Sequence, residues 1–417
     1  METNFSRIKE TITDMSKFNS QGPGISRFSY SSDDLKARKY LLDICESIGL
    51  KVRVDAVGNI FARYEGQQPE LEPVVSGSHI DSVKSGGMFD GIVGSIGALE
   101  CARVMRENGY IPKRPYEVVF YAEEEGSNFQ VPVMGSKILT GKLGLDDLYK
   151  MKTLDGETAY DTIKKAGFNP DNIPDDVIEK GRIKASVELH IEQSVRLELE
   201  HHTIGIIEGI AGCQWYRVTF KGKQNHAGAT PMHLRQDPMC AASECISQVK
   251  DMAKETTSTA VATVGFIEAK PNIPNAIPAE VSFTVDIRDI SNKSMDDIAA
   301  KLKAAADKAA ENNGCEVVCE CGATSKAIEI KDYMKNIMKE EADKLGLDYI
   351  FMPSGAVHDS NYMAEITDVG MIFVPSIDGR SHVPEEKTDF EDIKAGADLL
   401  LNTILNLQKN NFKDEKG

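Results

Sequence analysis

The order of short apolar strands and amphipathic helices constrains the fold of this chain more than any other feature. From about residue 31 to residue 196, apolar runs such as PVVSGS, YEVVFYA and ASVELHI alternate with helical segments, an order typical of an α/β sandwich. From about residue 212 to residue 324 the order becomes β-α-β-β-α-β, which is typical of a ferredoxin-like domain. A helix and the strand GMIFVPS then return to the first pattern.

We therefore expect a large α/β sandwich domain that is interrupted by a smaller α+β domain. Residues 1–211 would form the first part of the large domain and residues 326–417 its second part, with residues 212–325 as the insertion. A length of 417 residues is enough for two such domains.

The charge balance argues against nucleic acid and membranes as partners. The chain carries 48 basic and 65 acidic side chains, a formal net charge of −17, which repels nucleic-acid phosphates and anionic lipids. The segment METNFSRIKETITDMSKF is charged and lacks the apolar centre of a secretory signal. No run approaches the roughly twenty apolar residues that span a bilayer. We expect a cytoplasmic protein.

Three of the eight cysteines cluster in CEVVCECG, with a spacing that favours a strand over a metal site. Cys315, Cys319 and Cys321 share one parity with Val317, whereas the glutamates take the other. Because this alternation is typical of a half-buried strand, we expect buried thiols in a reducing compartment.

Polar side chains follow four apolar strands at the point where each strand ends. The segments are GSHID with FDG, YAEEEG, ELHIEQ and VPSIDGRSH, and they contain His79, Asp90, Glu125, His190 and His382. In open α/β sheets the carboxyl ends of the strands form the edge where ligands bind. Each side chain alone is typical of a polar loop, but imidazoles and carboxylates from four strand ends together suit Zn²⁺, Mn²⁺ or a similar ion.

The number of candidate ligands favours two ions over one. Five side chains are too many for one open catalytic zinc site but are typical of two ions that share a carboxylate. Asp90 lies in a glycine-rich turn and is the candidate for the shared ligand, and Asp81, two residues after His79, would orient its imidazole. We expect two divalent ions per subunit, Zn²⁺ or Mn²⁺, with Co²⁺ or Ni²⁺ also compatible with these ligands.

The ordered motifs of the chain resemble those of a known enzyme family. N-carbamoyl-L-amino acid hydrolases and their relatives, the allantoate amidohydrolases, contain segments similar to GSHIDSV, EEEGSNF, ELHIEQ, NHAGATPM, RQDPM, PSGAVHDS and MIFVPSIDGRSH. Both belong to the M20-type dinuclear metallohydrolases, and the resemblance extends over about residues 25 to 405. It implies that the large domain is a metallohydrolase α/β sandwich and that the insertion is a lid and dimerisation domain.

The resemblance also implies how metal and water are held. One ion would be bound by His79 and His190, the other by Glu125 and His382, and both by Asp90. Glu124 would be the general base, since a carboxylate beside a ligand can reach the attacking water without binding the metal. The alternative for Glu123, Glu124 and Glu125 is a solvated acidic turn. However, an apolar strand precedes these residues, and adjacent carboxylates there repel one another unless cations neutralise them.

A second set of residues concerns the substrate. Arg288 is expected on the open face of the strand EVSFTVDIRD, where an arginine is otherwise simply solvated, and would bind the substrate carboxylate through a bidentate fork. His226 and Asn275 would bind substrate and stabilise the oxyanion, with His226 reaching in from the partner subunit of a homodimer paired through the insertion. A loop histidine is otherwise most often structural. Gln193 and Gly355 complete the expected substrate site.

The sequence departs from the family pattern at two places. Ser194, Val195 and Arg196 follow HIEQ, where the family commonly has glycine, and Val357 stands where many relatives have glycine or alanine. Val357 adds bulk beside Gly355 and so changes the expected shape of the substrate pocket. The candidate metal ligands match the pattern.

The expected reaction is metal-dependent hydrolysis of the carbamoyl C–N bond of N-carbamoyl-L-amino acids to the free amino acid, CO₂ and ammonia. The segment GIAGCQWYRVTFKGK and the tripeptide His358-Asp-Ser favour this substrate class over allantoate. A peptidase or aminoacylase of the same superfamily is a further alternative. A non-catalytic binding module would have lost the base or a ligand, and this sequence has lost neither.

Overall fold

The computed structural model describes residues 1–20 and 22–409, except for the side chain of residue 323. The chain divides into two units. The larger unit contains residues 1–208, residues 330–352 and the described residues from 358 onward, and the smaller unit contains residues 209–329 with residues 353–357.

The β-strands are numbered in chain order. They are β1 (Lys51–Val54), β2 (Ile60–Tyr64), β3 (Val74–His79), β4 (Tyr116–Tyr121), β5 (Ala185–Ile191), β6 (Ile204–Ile210), β7 (Gly212–Lys221), β8 (Asn225–His226), β9 (Val261–Lys270), β10 (Ala276–Ile277), β11 (Glu280–Asp289), β12 (Glu316–Ser325), β13 (Ile328–Glu329), β14 (Tyr349–Ser354) and β15 (Val369–Val374).

The α-helices are numbered in the same way. They are α1 (Phe5–Met15), α2 (Ser32–Ser47), α3 (Ile92–Glu107), α4 (Met134–Leu139), α5 (Leu145–Lys150), α6 (Ala159–Lys165), α7 (Ile173–Asp176), α8 (Arg196–Glu200), α9 (Pro238–Lys254), α10 (Asn292–Asn313), α11 (Asp332–Leu345), α12 (Asp359–Met363) and α13 (Phe390–Lys409). Within the described part of the chain, none of the helices combines the length and the apolar character needed to cross a membrane.

The larger unit is organised around a sheet of order β1-β2-β4-β3-β5-β15-β6. The four middle strands, β4, β3, β5 and β15, are parallel, whereas the outer pairs are antiparallel. All residues of β3, β5 and β15 are buried, which is typical of parallel strands covered on both faces. The α/β fold predicted from the apolar runs is confirmed.

Helix α3 lies directly against the middle of this sheet. It packs on β3, β4 and β5 and against α13. A Cβ added at Gly94 would lie 2.1 Å from the carbonyl oxygen of Leu189, so only glycine permits this close approach to β5. Because α3 begins two residues after Asp90, the buried helix anchors the turn that carries this carboxylate.

The smaller unit contains an antiparallel sheet of order β12-β7-β11-β9, covered on one face by α9 and α10. The carboxylate of Asp237 accepts hydrogen bonds from the first turn of α9, and Gly314 ends α10 with φ of 62°. The chain order β7-α9-β9-β11-α10-β12 is the β-α-β-β-α-β order read from the sequence. A role for this unit as lid and dimerisation domain stays a prediction.

The cysteines in and beside β12 differ in part from the expectation. Cys315 and Cys319 are half-buried and pack against the core of the smaller unit, but Cys321 is exposed. The prediction of a buried thiol is wrong for Cys321, because β12 is an edge strand whose pairing with β7 shifts register directly after this residue. All eight cysteines are free thiols.

Candidate metal centre

The four polar segments lie at the carboxyl ends of neighbouring parallel strands. His79 is the last residue of β3, His190 lies in β5, Glu125 follows β4 and His382 follows β15. Because these strands are adjacent and parallel, their carboxyl ends meet at one edge of the sheet. The structure brings all five candidate ligands, including Asp90, to that edge.

Asp90 lies at the centre of the group. Its Oδ1 is 3.4 Å from Nε2 of His79 and 3.2 Å from Nε2 of His190. Its Oδ2 is 3.3 Å from Nε2 of His382, which in turn is 3.5 Å from Oε2 of Glu125. One carboxylate oxygen therefore faces one pair of ligands and the other oxygen faces the second pair, as a bridging carboxylate requires.

Two of the imidazoles are held with their Nε2 lone pairs toward Asp90. His79 Nδ1 lies 3.1 Å from the carbonyl oxygen of Asp81, and His190 Nδ1 lies 3.0 Å from the carbonyl oxygen of Ile191. A carbonyl oxygen only accepts, so each Nδ1 carries a proton, and in the neutral ring each Nε2 therefore carries a lone pair. This is the tautomer that a metal-binding histidine needs.

The donor set fits a divalent cation. His190 Nε2 and Glu125 Oε1 are buried and have no hydrogen-bond partner among the residues that the structure describes. Donor atoms of His79, Asp90 and His190 lie within 4.8 Å of one another, as do those of Asp90, Glu125 and His382. Buried lone pairs without a donor are unfavourable in protein alone, and a cation bound among them would satisfy them.

Asp81 supports the site through both its main chain and its side chain. Its carbonyl oxygen is the closer partner of His79, because its carboxylate lies 3.7 Å from Nδ1 of that imidazole. The carboxylate instead accepts hydrogen bonds from the backbone N–H groups of Glu124, at 3.2 Å, and Glu125, at 3.1 Å. Asp81 thus connects the segment after β3 to the segment after β4.

The three adjacent glutamates have different surroundings. Glu123 is fully buried, and its carboxylate accepts from the backbone N–H groups of Asn128 and Phe129, so it stabilises the following loop. Glu124 is also buried, and its Oε2 lies 3.7 Å from Nε2 of His79. Glu124 is therefore close to the ligands without being one of the tight donor groups.

The charges of the site shift its pKa values. Burial opposes ionisation of Asp90, but the three imidazoles around its carboxylate hold its pKa well below the usual range. Burial and the charge of Asp90 raise the pKa of Glu125 to about 7. The hydrogen bond to Asp90 raises the pKa of His382 to about 9. The buried negative charges and lone pairs that bind protons here can also bind a cation, so protons and a cation compete for the same atoms.

Sequence reasoning missed two residues that hold Asp90. The Ser381 hydroxyl donates to Asp90 Oδ2 at 2.8 Å and lies 3.1 Å from Glu386 Oε2. Glu386 Oε1 accepts from the backbone N–H groups of Phe89, at 3.0 Å, and Asp90, at 3.1 Å. In the sequence, Glu386 is a glutamate four residues after His382, in a segment typical of a solvated turn. Only its contacts in the structure identify its role beside Asp90.

Gln193 also contacts the central carboxylate. Its Nε2 donates to Asp90 Oδ2 at 2.7 Å, so the residue expected in the substrate site lies directly beside the candidate bridging ligand. Its Oε1 is buried, and the described part of the chain offers it no hydrogen-bond partner.

The backbone around the site is unusual. Gln193 and His382 are non-glycine residues with φ of 58° and 60°, a region that is unfavourable for side chains with a Cβ and often marks functional sites. Gly91 has φ of 66°, and a Cβ there would lie 2.5 Å from the His79 ring. The turn after Asp90 therefore requires glycine both for its conformation and for its contact with the ligand.

A further group of donor atoms includes His190. Glu188, His190 and His358 offer atoms within 4.8 Å of one another. Glu188 already accepts hydrogen bonds from the hydroxyls of Ser78 and Ser360, at 2.8 Å and 2.6 Å, so its role is to connect β5 with β3 and α12. Burial lowers the pKa of His358 well below its usual value, which favours the neutral ring.

In the smaller unit, His226 and Asn275 lie side by side. His226 in β8 pairs with Ala276 in β10, and the N–H of Ala227 donates to the carbonyl oxygen of Asn275 at 3.0 Å. His226 Nδ1 accepts from the N–H groups of Gly228, at 3.0 Å, and Ala229, at 3.2 Å. Its proton is therefore on Nε2, which makes the exposed ring a hydrogen-bond donor.

Arg288 and Gly355 also contact each other in the smaller unit. Arg288 Nη1 donates to the carbonyl oxygen of Gly355 at 3.3 Å. Phe283, Val285 and Ile287 are buried while Arg288 is only half-buried, so the predicted open face of β11 is confirmed.

The carboxyl ends of the parallel strands in this α/β sheet carry a set of donor atoms centred on one carboxylate. This combination is typical of the α/β metallohydrolases. The Peptidase family M20/M25/M40 profile matches residues 75–406, and the chain belongs to this family.

Relatives of the chain are amidohydrolases. It is 37% identical over 403 residues to an N-carbamoyl-L-amino-acid amidohydrolase of Paenarthrobacter aurescens, covering 97% of this chain and 98% of the relative. It is 34% identical over 394 residues to the allantoate amidohydrolase of Escherichia coli strain K12, covering 94% and 95%. A crystal structure of an amidase of the hydantoinase/carbamoylase family from Burkholderia multivorans has a TM-score of 0.90 at 33% identity and covers 98% of this chain and 99% of its own. The chain is thus a metal-dependent amidohydrolase that acts on non-peptide C–N bonds, as the sequence predicted.

Proposed function

We propose that the protein hydrolyses the carbamoyl C–N bond of N-carbamoyl-L-amino acids and releases the free amino acid, CO₂ and ammonia. The observation that carries this proposal is the position of Asp90, with His79 and His190 on one oxygen and His382 on the other. The relative from Paenarthrobacter aurescens, which is named for this reaction, supports the substrate class.

We propose two divalent ions, Zn²⁺ or Mn²⁺, with Co²⁺ or Ni²⁺ also compatible. The residues that would hold the first are His79, Asp90 and His190, and those that would hold the second are Asp90, Glu125 and His382. When bound, such ions polarise a carbonyl group and lower the pKa of water. The protein holds its ligands for this task through the buried contacts of Asp81, Ser381 and Glu386.

Glu124 is proposed as the general base. It takes a proton from the attacking water and returns it to the nitrogen that leaves as the amino group of the product. Its buried position and its distance of 3.7 Å from the imidazole of His79 support this role, because a base must reach the water beside the ligands without binding as one of them.

The smaller unit is proposed to supply the substrate contacts. Arg288 binds the substrate carboxylate, and the Nε2–H of His226 donates to the oxyanion that forms when the carbonyl carbon becomes tetrahedral. Asn275 and Gly355 are further proposed substrate residues of the smaller unit, and Gln193 is a proposed substrate residue of the larger unit. The tautomer imposed on His226 by the N–H groups of its own loop supports its role as a donor.

We also propose that the protein acts as a homodimer in which His226 serves the partner's site. Coexpression of a His226→Ala chain with a Glu124→Gln chain tests this arrangement. Each variant alone would be nearly inactive, but a mixed dimer has one site with both residues intact. Random pairing predicts about a quarter of wild-type activity. Activity no higher than that of the single variants would contradict a shared site.

The substrate class is tested with N-carbamoyl-L-methionine, allantoate and a dipeptide, with ammonia and free amine measured for each. The proposal expects equal amounts of ammonia and methionine from the first substrate. Ammonia from allantoate alone would favour allantoate hydrolysis, the alternative that the Escherichia coli relative supports. Free amine from the dipeptide alone would favour a peptidase.

A further inference from the structure

Strand β11 places a carboxylate beside the guanidinium of Arg288. Asp286 and Arg288 are two residues apart, so their side chains leave the same, open face of the strand. Arg288 Nε donates to Asp286 Oδ1 at 3.1 Å, and Arg288 Nη2 donates to Asp286 Oδ2 at 3.2 Å. A two-point contact between planar groups sets the orientation of the guanidinium, which a single contact would leave free.

The Asp286 carboxylate is itself held on the neighbouring strand. Cys213 in β7 lies with Sγ 3.4 Å from Asp286 Oδ1. Burial and the charge of Asp286 raise the pKa of Cys213 to about 11, so the thiol keeps its proton and can donate it. The hydrogen bond to Asp286 raises the pKa of Arg288. Asp286 is therefore a fixed acceptor between a thiol and a guanidinium.

Arg288 keeps free donors after these contacts. A guanidinium has five N–H groups. Two of them donate to Asp286 and one donates to the carbonyl oxygen of Gly355, which leaves one on Nη1 and one on Nη2. Two N–H groups on one guanidinium match the two oxygens of a carboxylate. Around Gly355 there is space, because an added Cβ would meet no atom of residues 1–20 or 22–409 within 4 Å.

We propose that Asp286 is a positioning residue, which holds Arg288 with its two remaining N–H groups arranged for a substrate carboxylate. This inference rests on the proposed function, in which Arg288 binds that carboxylate. Asp286 would act through Arg288 and would not touch the substrate.

Two opposite effects decide what removal of the Asp286 charge does. Without Asp286 the positive charge of Arg288 is less neutralised, which favours an anionic substrate by about threefold in a solvated site. Without Asp286 the long Arg288 side chain also regains its rotamer freedom, and ordering it on binding weakens affinity by up to about thirtyfold. The ordering effect is the larger one, so affinity for the substrate should fall.

The test compares Asp286→Asn with Glu320→Gln in the otherwise unchanged protein. Glu320 lies on the same open face, but on β12, two strands from β11. For N-carbamoyl-L-methionine, Asp286→Asn should raise KM about tenfold with kcat within about twofold, because one charge-assisted contact is lost. Glu320→Gln should leave both unchanged, and Asp286→Glu, which keeps the carboxylate, should restore part of the affinity. A KM that is unchanged or lower in Asp286→Asn would overturn the inference.

A double-mutant cycle separates this inference from the proposed function. Arg288→Met alone should raise KM at least as much as Asp286→Asn, and Asp286→Asn should add nothing in the Arg288→Met background. If Arg288→Met leaves KM unchanged, the carboxylate-binding role in the proposed function fails. If Arg288→Met raises KM and Asp286→Asn acts equally in both backgrounds, only the positioning role fails. Melting curves of each variant show whether the sheet is intact.

Discussion

The candidate metal ligands of the larger unit and the proposed substrate residues of the smaller unit differ in how they are held. His79, Asp90 and His190 are at most 7% exposed, and each is held by main-chain or side-chain hydrogen bonds. In contrast, His226 and Asn275 are exposed. His226 accepts from an N–H group of its own loop, and Asn275 accepts from the N–H of Ala227 in the neighbouring loop.

This difference follows from the ligand that each region is proposed to meet. Side chains that bind a cation must keep their lone pairs in place between turnovers. Their positions are therefore fixed by contacts that form when the protein folds. Residues that meet a substrate must be open to solvent whenever the site is empty, and they are ordered by local contacts or on binding. His382 stands between the two cases, because it is a candidate ligand with a side chain that is 50% exposed.

The largest expected effect is that of metal removal on the larger unit. Dialysis against a chelator should lower turnover by more than about a hundredfold, and Zn²⁺ or Mn²⁺ should restore it. Loss of a ligand present at a thousand times its Kd should also lower the free energy of unfolding by about 4 kcal/mol. Elemental analysis and melting curves measure both effects. Full activity in protein shown to be free of metal would contradict the assignment.

Glu124→Gln should change chemistry while leaving the metal in place. The substitution keeps the size of the side chain but removes its ability to accept a proton, so kcat should fall on the order of a hundredfold or more. Metal content by elemental analysis should equal that of the wild type. A variant that retains wild-type kcat would exclude Glu124 as the base.

Glu386→Gln should weaken metal binding without removing a ligand. The substitution removes a negative charge beside the turn that carries Asp90 while keeping an oxygen that can accept from its N–H groups, so metal affinity should fall about tenfold. Glu385→Gln is the matched control, because Glu385 is adjacent and exposed. Competition with a chelator of known affinity measures the change. Equal affinities in the two variants would mean that Glu386 does not support the site.

The smallest expected effect is that of Gly355→Ala in the smaller unit. The added methyl group meets no described atom within 4 Å, so the free energy of unfolding should change by no more than about 0.5 kcal/mol. If Gly355 lines the substrate site, KM should nevertheless rise severalfold, because the methyl group occupies space left for substrate. An unchanged KM would show that substrate does not approach this residue.

Much of the larger unit could be predicted from the sequence. Parallel buried strands are apolar runs, and the polar residues that follow them mark one edge of the sheet, so the meeting of His79, Glu125, His190 and His382 required only the strand order. Glu386 could not be predicted in this way. Its contacts with Phe89 and Asp90 join segments that are nearly three hundred residues apart, and no local sequence pattern indicates such a contact.

Cys321 is a residue for which the local sequence pattern predicts burial incorrectly. Its parity in β12 is that of the half-buried Cys319, and local alternation therefore predicts burial for both. The outcome depends on the position of β12 at the sheet edge and on the register shift after Cys321, which are properties of strand pairing.

The amino-acid order alone determined the α/β class, the inserted β-α-β-β-α-β segment and the identity of the residues at the strand ends, since hydrophobic periodicity and short motifs are local properties. Tertiary structure decided which nitrogen of His79, His190 and His226 carries the proton and how Asp90 is placed among three imidazoles. It also decided that Asp286 rather than solvent accepts from Arg288. The placement of Asp90 depends on distances of 3 to 4 Å between segments that are far apart in sequence. The proton positions and the contact of Asp286 with Arg288 involve close neighbours in sequence, but whether such neighbours meet depends on backbone and rotamer conformations that tertiary packing selects.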